Sequence, residues 1–282
     1  MQYPSLTNRL FRVGGWLILI GFLTLLTQVG GIILLLYLPL GRRIRNSLPK
    51  GWKRRGIQLG SAVSFYLLIS MVVVVPLAKL GGRVPLPIFQ GELQPLHLCY
   101  PLLHRHYVQP ELKALLVEAA TATADQYPGT ITAYLDASHP FGDGYPLLPH
   151  LSHQDGKKAD LAFFFQNQQG DPLPKKALSW IGYGGVVEPQ PGELDQPKRC
   201  EAAGHWQYSI LETITPPFLL PKRMADEART RFLLRYLARH PSTGKIFLEP
   251  HLKQRWGLTN FRKVRFHGCH AVRHDDHIHV QL

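Results

Sequence analysis

Two long apolar runs open the chain, and shorter periodic elements follow them. Val13 to Leu40 has no charged side chain, and Ile57 to Ala78 is a second uncharged run of 22 residues. A helix needs roughly 20 residues to cross the hydrocarbon core of a bilayer. Both runs are therefore expected to be transmembrane helices, spanning about 13–40 and 57–78. The first is too long for the apolar region of a cleaved signal peptide. Trp16 and Tyr37 lie near its ends, where amphipathic rings favour the interface. Gln28 and Gly30-Gly31 interrupt it, as a helix–helix contact would.

Past residue 82 the pattern changes. Five prolines between Arg83 and Pro110 predict an extended linker over 83–110. Glu111 to Gln126 follows with Leu112, Leu115, Leu116 and Ala119 at helical spacing, and Pro128-Gly129 ends it. Ala225 to His240 is a second amphipathic helix, stopped by Pro241. Strands are expected at Thr130–Leu135, Asp160–Gln166, Lys245–Leu248 and His277–Leu282. This mixture lacks a regular βαβ alternation, so the class is α+β, with a central antiparallel sheet flanked by helices over 111–282.

Charge decides how the basic excess of the chain is read. Residues 1–84 carry eleven Lys or Arg and no acid, leaving twenty-one basic residues against nineteen acidic ones in the remainder. The net charge of +13 thus belongs to the apolar N-terminal part, and no nucleic-acid partner is implied. Seven of those basic residues lie within Gly41 to Gly56, which the positive-inside rule places in the cytoplasm. Both termini and the large domain are then expected on the periplasmic or extracellular side of the cytoplasmic membrane. Such a compartment permits one disulfide among Cys99, Cys200 and Cys269, with the pairing open. A Cys200–Cys269 bridge would tie the middle of the domain to its final strand.

Candidate chemistry gathers at the C-terminal end. From His277 onward polar and apolar residues alternate, so His277, His279 and Gln281 share one strand face, and Ile278, Val280 and Leu282 the other. Upstream, His153 precedes Gly156, which permits a turn, and Asp160 opens the apolar stretch Leu161 to Phe165. A carboxylate at the mouth of a buried strand is costly unless paired or coordinated. Two His and one Asp suit zinc and leave a fourth position for water, the layout of a catalytic site.

These spacings carry a resemblance. His153, six intervening residues and Asp160, then a distant His277-Ile278-His279, resemble the lysostaphin/D-Ala-D-Ala metallopeptidase/sonic hedgehog superfamily. Within it the chain looks most like penicillin-insensitive murein endopeptidase. His150 in Pro-His-Leu-Ser-His-Gln, the ending His274 to Val280, and Lys245 to Pro250 carry that likeness. It covers roughly 130–282 and excludes the membrane segment. The resemblance implies that His153, Asp160 and His279 hold Zn2+, that His277 is catalytic, and that His150 and His274 are accessory. In the carboxypeptidase and dipeptidase branches a Glu stands where this chain has His274, which points to cutting within a cross-link. The chain departs from the family in placing Lys157-Lys158 after Gly156, and Gly170 to Pro221 has no counterpart.

The expected activity is therefore a membrane-anchored zinc metallopeptidase hydrolysing an amide in peptidoglycan peptides, a D-alanyl cross-link in particular. Two alternatives stand beside it: a non-hydrolytic zinc-containing wall-binding or sensor module, and a peptidase acting on a periplasmic peptide or protein. Other constellations read as structural. Asp275 and Asp276 could orient an imidazole but are expected in an exposed turn, and His104 and His106 in the solvated linker. Cys269, between His267 and His270, has no neighbour placed to act as its base.

Overall fold

The computed structural model describes residues 6–216, 218 and 220–282. Its first part is a helical layer: α1 (Leu6–Thr27), α2 (Gly30–Ser47), α3 (Trp52–Ile69) and α4 (Val75–Leu80). A π-helical turn at Ser70–Val74 joins the last two. It precedes Pro76, which has no N–H to donate, so the wider turn absorbs a break in the ladder. Trp52–Leu80 thus runs as one stretch of 29 residues, among the described residues the one helix long and apolar enough to cross a membrane.

The first apolar run behaves differently from expectation. It is not a continuous span over 13–40, because the chain reverses at Gln28, whose φ is +66°. The Gln28 amide is committed elsewhere: its Nε2 donates to the Phe141 carbonyl at 2.6 Å and its Oε1 accepts from the Phe141 N–H at 2.8 Å. Gly30 and Gly31 let α2 lie against α1, since a Cβ at Gly31 would fall 2.0 Å from Thr24 Oγ1. The turn abuts the large domain and α1 folds back along α2, toward the basic Gly41–Gly56 segment.

The large domain starts earlier than predicted. Residues 83–110 are not a linker, because Leu86, Leu93, Leu96, Tyr100 and Val108 are buried in the main core. Their prolines shape a closely packed path. Arg83, just after the helical layer, is buried and donates to the carbonyls of Gly142 at 2.6 Å and Gln154 at 2.8 Å.

The core sheet has six strands: β1 (Leu93–Pro95), β2 (Thr132–Tyr134), β3 (Lys158–Ala162), β4 (Lys245–Phe247), β5 (Val264–Arg265) and β6 (His277–Gln281). Their order is β1-β2-β3-β6-β4-β5. The sheet is mixed rather than antiparallel, since β1–β2 and β4–β5 run parallel at the two edges. The central β3–β6 and β6–β4 pairs are antiparallel. Helix α5 (Cys99–Leu102) is short; α6 (Pro110–Gln126) and α7 (Glu227–Arg239) pack on one sheet face. Leu112, Leu115, Leu116, Leu233, Leu234 and Leu237 meet Leu161, Ile278 and Val280 there. With apolar residues fixed on that face, the alternation of β6 sends His277 and His279 to the other.

Candidate metal centre

Strand pairing assembles the site. β3 and β6 place His279 directly opposite Asp160, and His279 also faces Phe247 on β4, whose ring stacks on it at 5.2 Å. His153 comes from the loop before β3. Gly156, at φ +71°, turns that loop, and a Cβ there would press on Arg83 and Gln109.

His153, Asp160 and His279 are all buried and could hold a metal ion. The closest atoms are His153 Nε2, Asp160 Oδ1 and His279 Nδ1. They lie 3.3 Å apart for His153–Asp160, 2.9 Å for His279–Asp160 and 3.1 Å for His153–His279. Ligands about 2.1 Å from a tetrahedral ion stand about 3.4 Å from one another, so the three need little movement to bind one. The tautomer also fits. His153 Nδ1 is 2.9 Å from the Ala137 carbonyl, which can only accept, so Nδ1 carries the proton and Nε2 presents its lone pair.

Around this triad lies a buried polar network. Tyr183 donates its hydroxyl to Asp160 Oδ2 at 2.8 Å and accepts the Asp136 N–H at 3.1 Å. Asp136 binds His150 Nδ1 at 2.8 Å and pairs with both Nε and Nη2 of Arg105. His277 Nε2 stands 3.8 Å from Asp160 Oδ2, and its Nδ1 is held by Asp276. Asp276 in turn accepts the Gly184 N–H at 2.6 Å. His274 sits between His267 and His277, with ring centres 4.5 and 4.8 Å away. His150 Nε2 and His274 Nδ1 are buried without hydrogen-bond partners. Both rings line a cleft of about 450 Å³, together with the triad, His277, His267 and Phe247.

Burial and neighbouring charges divide the roles of these groups. Burial pulls the His279 imidazole down to about 4, so it is neutral and ready to ligate. Burial alone would raise Asp160, yet His153 and His277 hold it well below the usual carboxylate range. Burial also acts downward on His277, but the carboxylates of Asp160 and Asp276 prevail and keep it up at about 9. His274 is pushed well below the ordinary histidine value, by burial first and by His277 next.

All six histidine and aspartate positions singled out from the sequence meet in this one place. Several other expectations change. Asp275 and Asp276 are buried, not exposed: Asp275 takes a two-pronged grip from Arg273, and Asp276 positions His277. His104 and His106 are buried as well, His104 Nε2 meeting Ser70 Oγ at 3.0 Å. Cys269 is unchanged in offering no thiol nucleophile: it is bonded to Cys200, which settles the pairing left open, and Cys99 is the free cysteine. Asp136, Arg105 and Tyr183 are site residues that the sequence reading missed. Their signal was faint, since only partners distant in the chain reveal them.

Described residues of the segment without a counterpart, from Tyr183 to Cys200, close over this network. Tyr183 and Gly184 come from it, the Val187 N–H donates to the Asp275 carbonyl at 2.8 Å, and the disulfide ties Cys200 to the loop before β6. At Gly184, with φ +78°, a Cβ would collide with Thr215 Oγ1 at 2.4 Å, so glycine allows the approach to Asp276. No protein-family model matches the chain, and no curated protein matches it either.

Proposed function

We propose that this chain is a membrane-anchored zinc hydrolase that cleaves an amide bond in peptidoglycan peptides, a D-alanyl cross-link in particular. The observation that carries the reading is the convergence of His153 Nε2, Asp160 Oδ1 and His279 Nδ1 within 3.3 Å, beside a carboxylate-held His277 at an open cleft. Zinc fits a set of two imidazoles and one carboxylate better than calcium or magnesium, which take mostly oxygen. When bound at such a site, zinc makes water acidic enough to attack near neutral pH and polarises the scissile carbonyl.

The protein side chains do the rest. Asp276 fixes the His277 ring at Nδ1, so its Nε2 is aimed to donate to oxygen as negative charge develops there. The same imidazole can pass a proton to the leaving amine. Tyr183 keeps Asp160 Oδ2 occupied and leaves Oδ1 facing the two histidines. Phe247 and Leu151 supply apolar walls for the substrate. The helix Trp52–Leu80 anchors the chain, with Gly41–Gly56 in the cytoplasm and the large domain outside.

Digestion of purified cell-wall material by the full chain in detergent, with products read by mass spectrometry, tests this reading. Loss of cross-linked fragments and gain of their halves is expected. Unchanged fragments at full zinc load, or cleavage that survives His153→Ala, would count against it.

A further inference from the structure

The large domain does not sit on top of its helix; it docks alongside. Tyr66 donates its hydroxyl to the Leu102 carbonyl at 2.6 Å, and Ser70 Oγ meets His104 Nε2 at 3.0 Å. Tyr66 is fourteen residues before Leu80, which places this contact about 21 Å from the helix end at 1.5 Å per residue. Beyond that level the outer face of the helix is still apolar and exposed, through Met71, Val72, Leu77 and Leu80. Any bilayer that covers those side chains must also reach the part of the domain beside Tyr66.

That part is made to meet it. Leu93 to His104, Gly144 to Gln154 and Ala177 to Val187 contain no Lys, Arg, Asp or Glu. The structure brings the three segments together: Tyr100 hydroxyl bonds the Ile181 carbonyl, Trp180 stacks on His97 at 5.2 Å, and Arg105 reaches the Leu148 carbonyl at 2.8 Å. They leave Leu98, Leu102, Trp180, Ile181, Leu148 and Leu151 exposed, with Trp180 72% accessible. Leu151 also lines the metal cleft, so the patch ends at the mouth of the site.

We propose that these three uncharged segments form an apolar apron that enters the outer leaflet beside the helix and holds the mouth of the metal cleft at the lipid surface. The occupant of the apron is the acyl layer of the bilayer. An exposed tryptophan among leucines is suited to the boundary between headgroups and chains. The cleft then works on substrate presented at the membrane. This inference rests on the reading of Trp52–Leu80 as the membrane anchor.

The full chain reconstituted into phosphatidylcholine–phosphatidylglycerol vesicles tests it. Flotation after an alkaline carbonate wash reports the anchor. The emission of Trp180 is taken as the difference between the wild type and Trp180→Phe, with Leu102→Trp in that background as a second reporter. Both should lose most of their emission with lipid brominated high on the acyl chain, and little with iodide equilibrated across the vesicles. Floating protein whose reporters respond to iodide and not to brominated lipid would overturn the apron and leave the anchor standing. Reporters shielded from both quenchers would mean that protein, not lipid, covers the patch. Protein that fails to float would overturn anchor and apron together.

Discussion

His279 and Asp160 face each other across two antiparallel strands, with His279 Nδ1 2.9 Å from Asp160 Oδ1. On one face of such a pair, opposite side chains are the nearest neighbours a sheet provides. Rigid strands therefore hold two of the three candidate ligands in place. The third, His153, is held on the adjoining loop by the Ala137 carbonyl. Little rearrangement is left for binding to drive.

Tyr183 is the group that orients Asp160, through a 2.8 Å bond to the oxygen not facing the histidines. Tyr183→Phe should weaken zinc affinity about 10- to 100-fold, the usual effect of removing an outer-shell partner. Competition with a zinc-binding dye measures it; an unchanged affinity would show that Asp160 is oriented by other means.

Asp276 holds the His277 ring and lies outside the candidate triad. Asp276→Asn should lower the cleavage rate by about 10²- to 10⁴-fold, the range of general acid–base assistance, while zinc content stays at the wild-type level. Equal loss of metal and rate would instead place Asp276 in support of the triad.

The Cys200–Cys269 bridge closes a loop of 69 residues and fastens the covering segment to the chain entering β6. Its reduction should destabilise the domain by about 2–4 kcal/mol. Thermal unfolding with and without reductant, compared with a Cys200→Ser/Cys269→Ser variant, reads this directly.

Two histidines outside the site make the domain acid-sensitive. Burial lowers His106 to about 3 and His139 to about 4, so both are neutral in the fold. The unfolded chain, with histidines near 6.5, binds more protons between those values, so unfolding is favoured as pH falls. Their contribution to stability is whole above about 6.5 and is lost as pH drops toward about 3. His106→Gln should flatten the fall of unfolding midpoint between neutral and acidic pH. A slope identical to wild type would contradict the assignment.

Some of this molecule was legible in its sequence, for physical reasons. β6 announced itself because a strand with an apolar core on one face and a polar site on the other must alternate, and His277 and His279 follow that rule. The helices Pro110–Gln126 and Glu227–Arg239 lie within two residues of their expected bounds, since proline and helical spacing are local signals. Nonlocal contacts decided the rest. Prolines in 83–110 favour extended chain, yet Leu86, Leu93 and Leu96 find a core to enter. Gln28 marked a weak point in the apolar run, but its bonds to Phe141, 113 residues away, turn the weak point into a reversal. Asp136 and Tyr183 gain their roles only when β2, the covering segment and β6 meet, whereas Asp276, next to His277 in the chain, could be read as an imidazole-orienting carboxylate.

Elemental analysis of the purified full chain after zinc loading and removal of free metal tests the central claim most directly. The account predicts one zinc per chain in the wild type and none retained by His153→Ala, Asp160→Asn or His279→Ala. A wild type that retains no zinc, or variants that retain it in full, would contradict it.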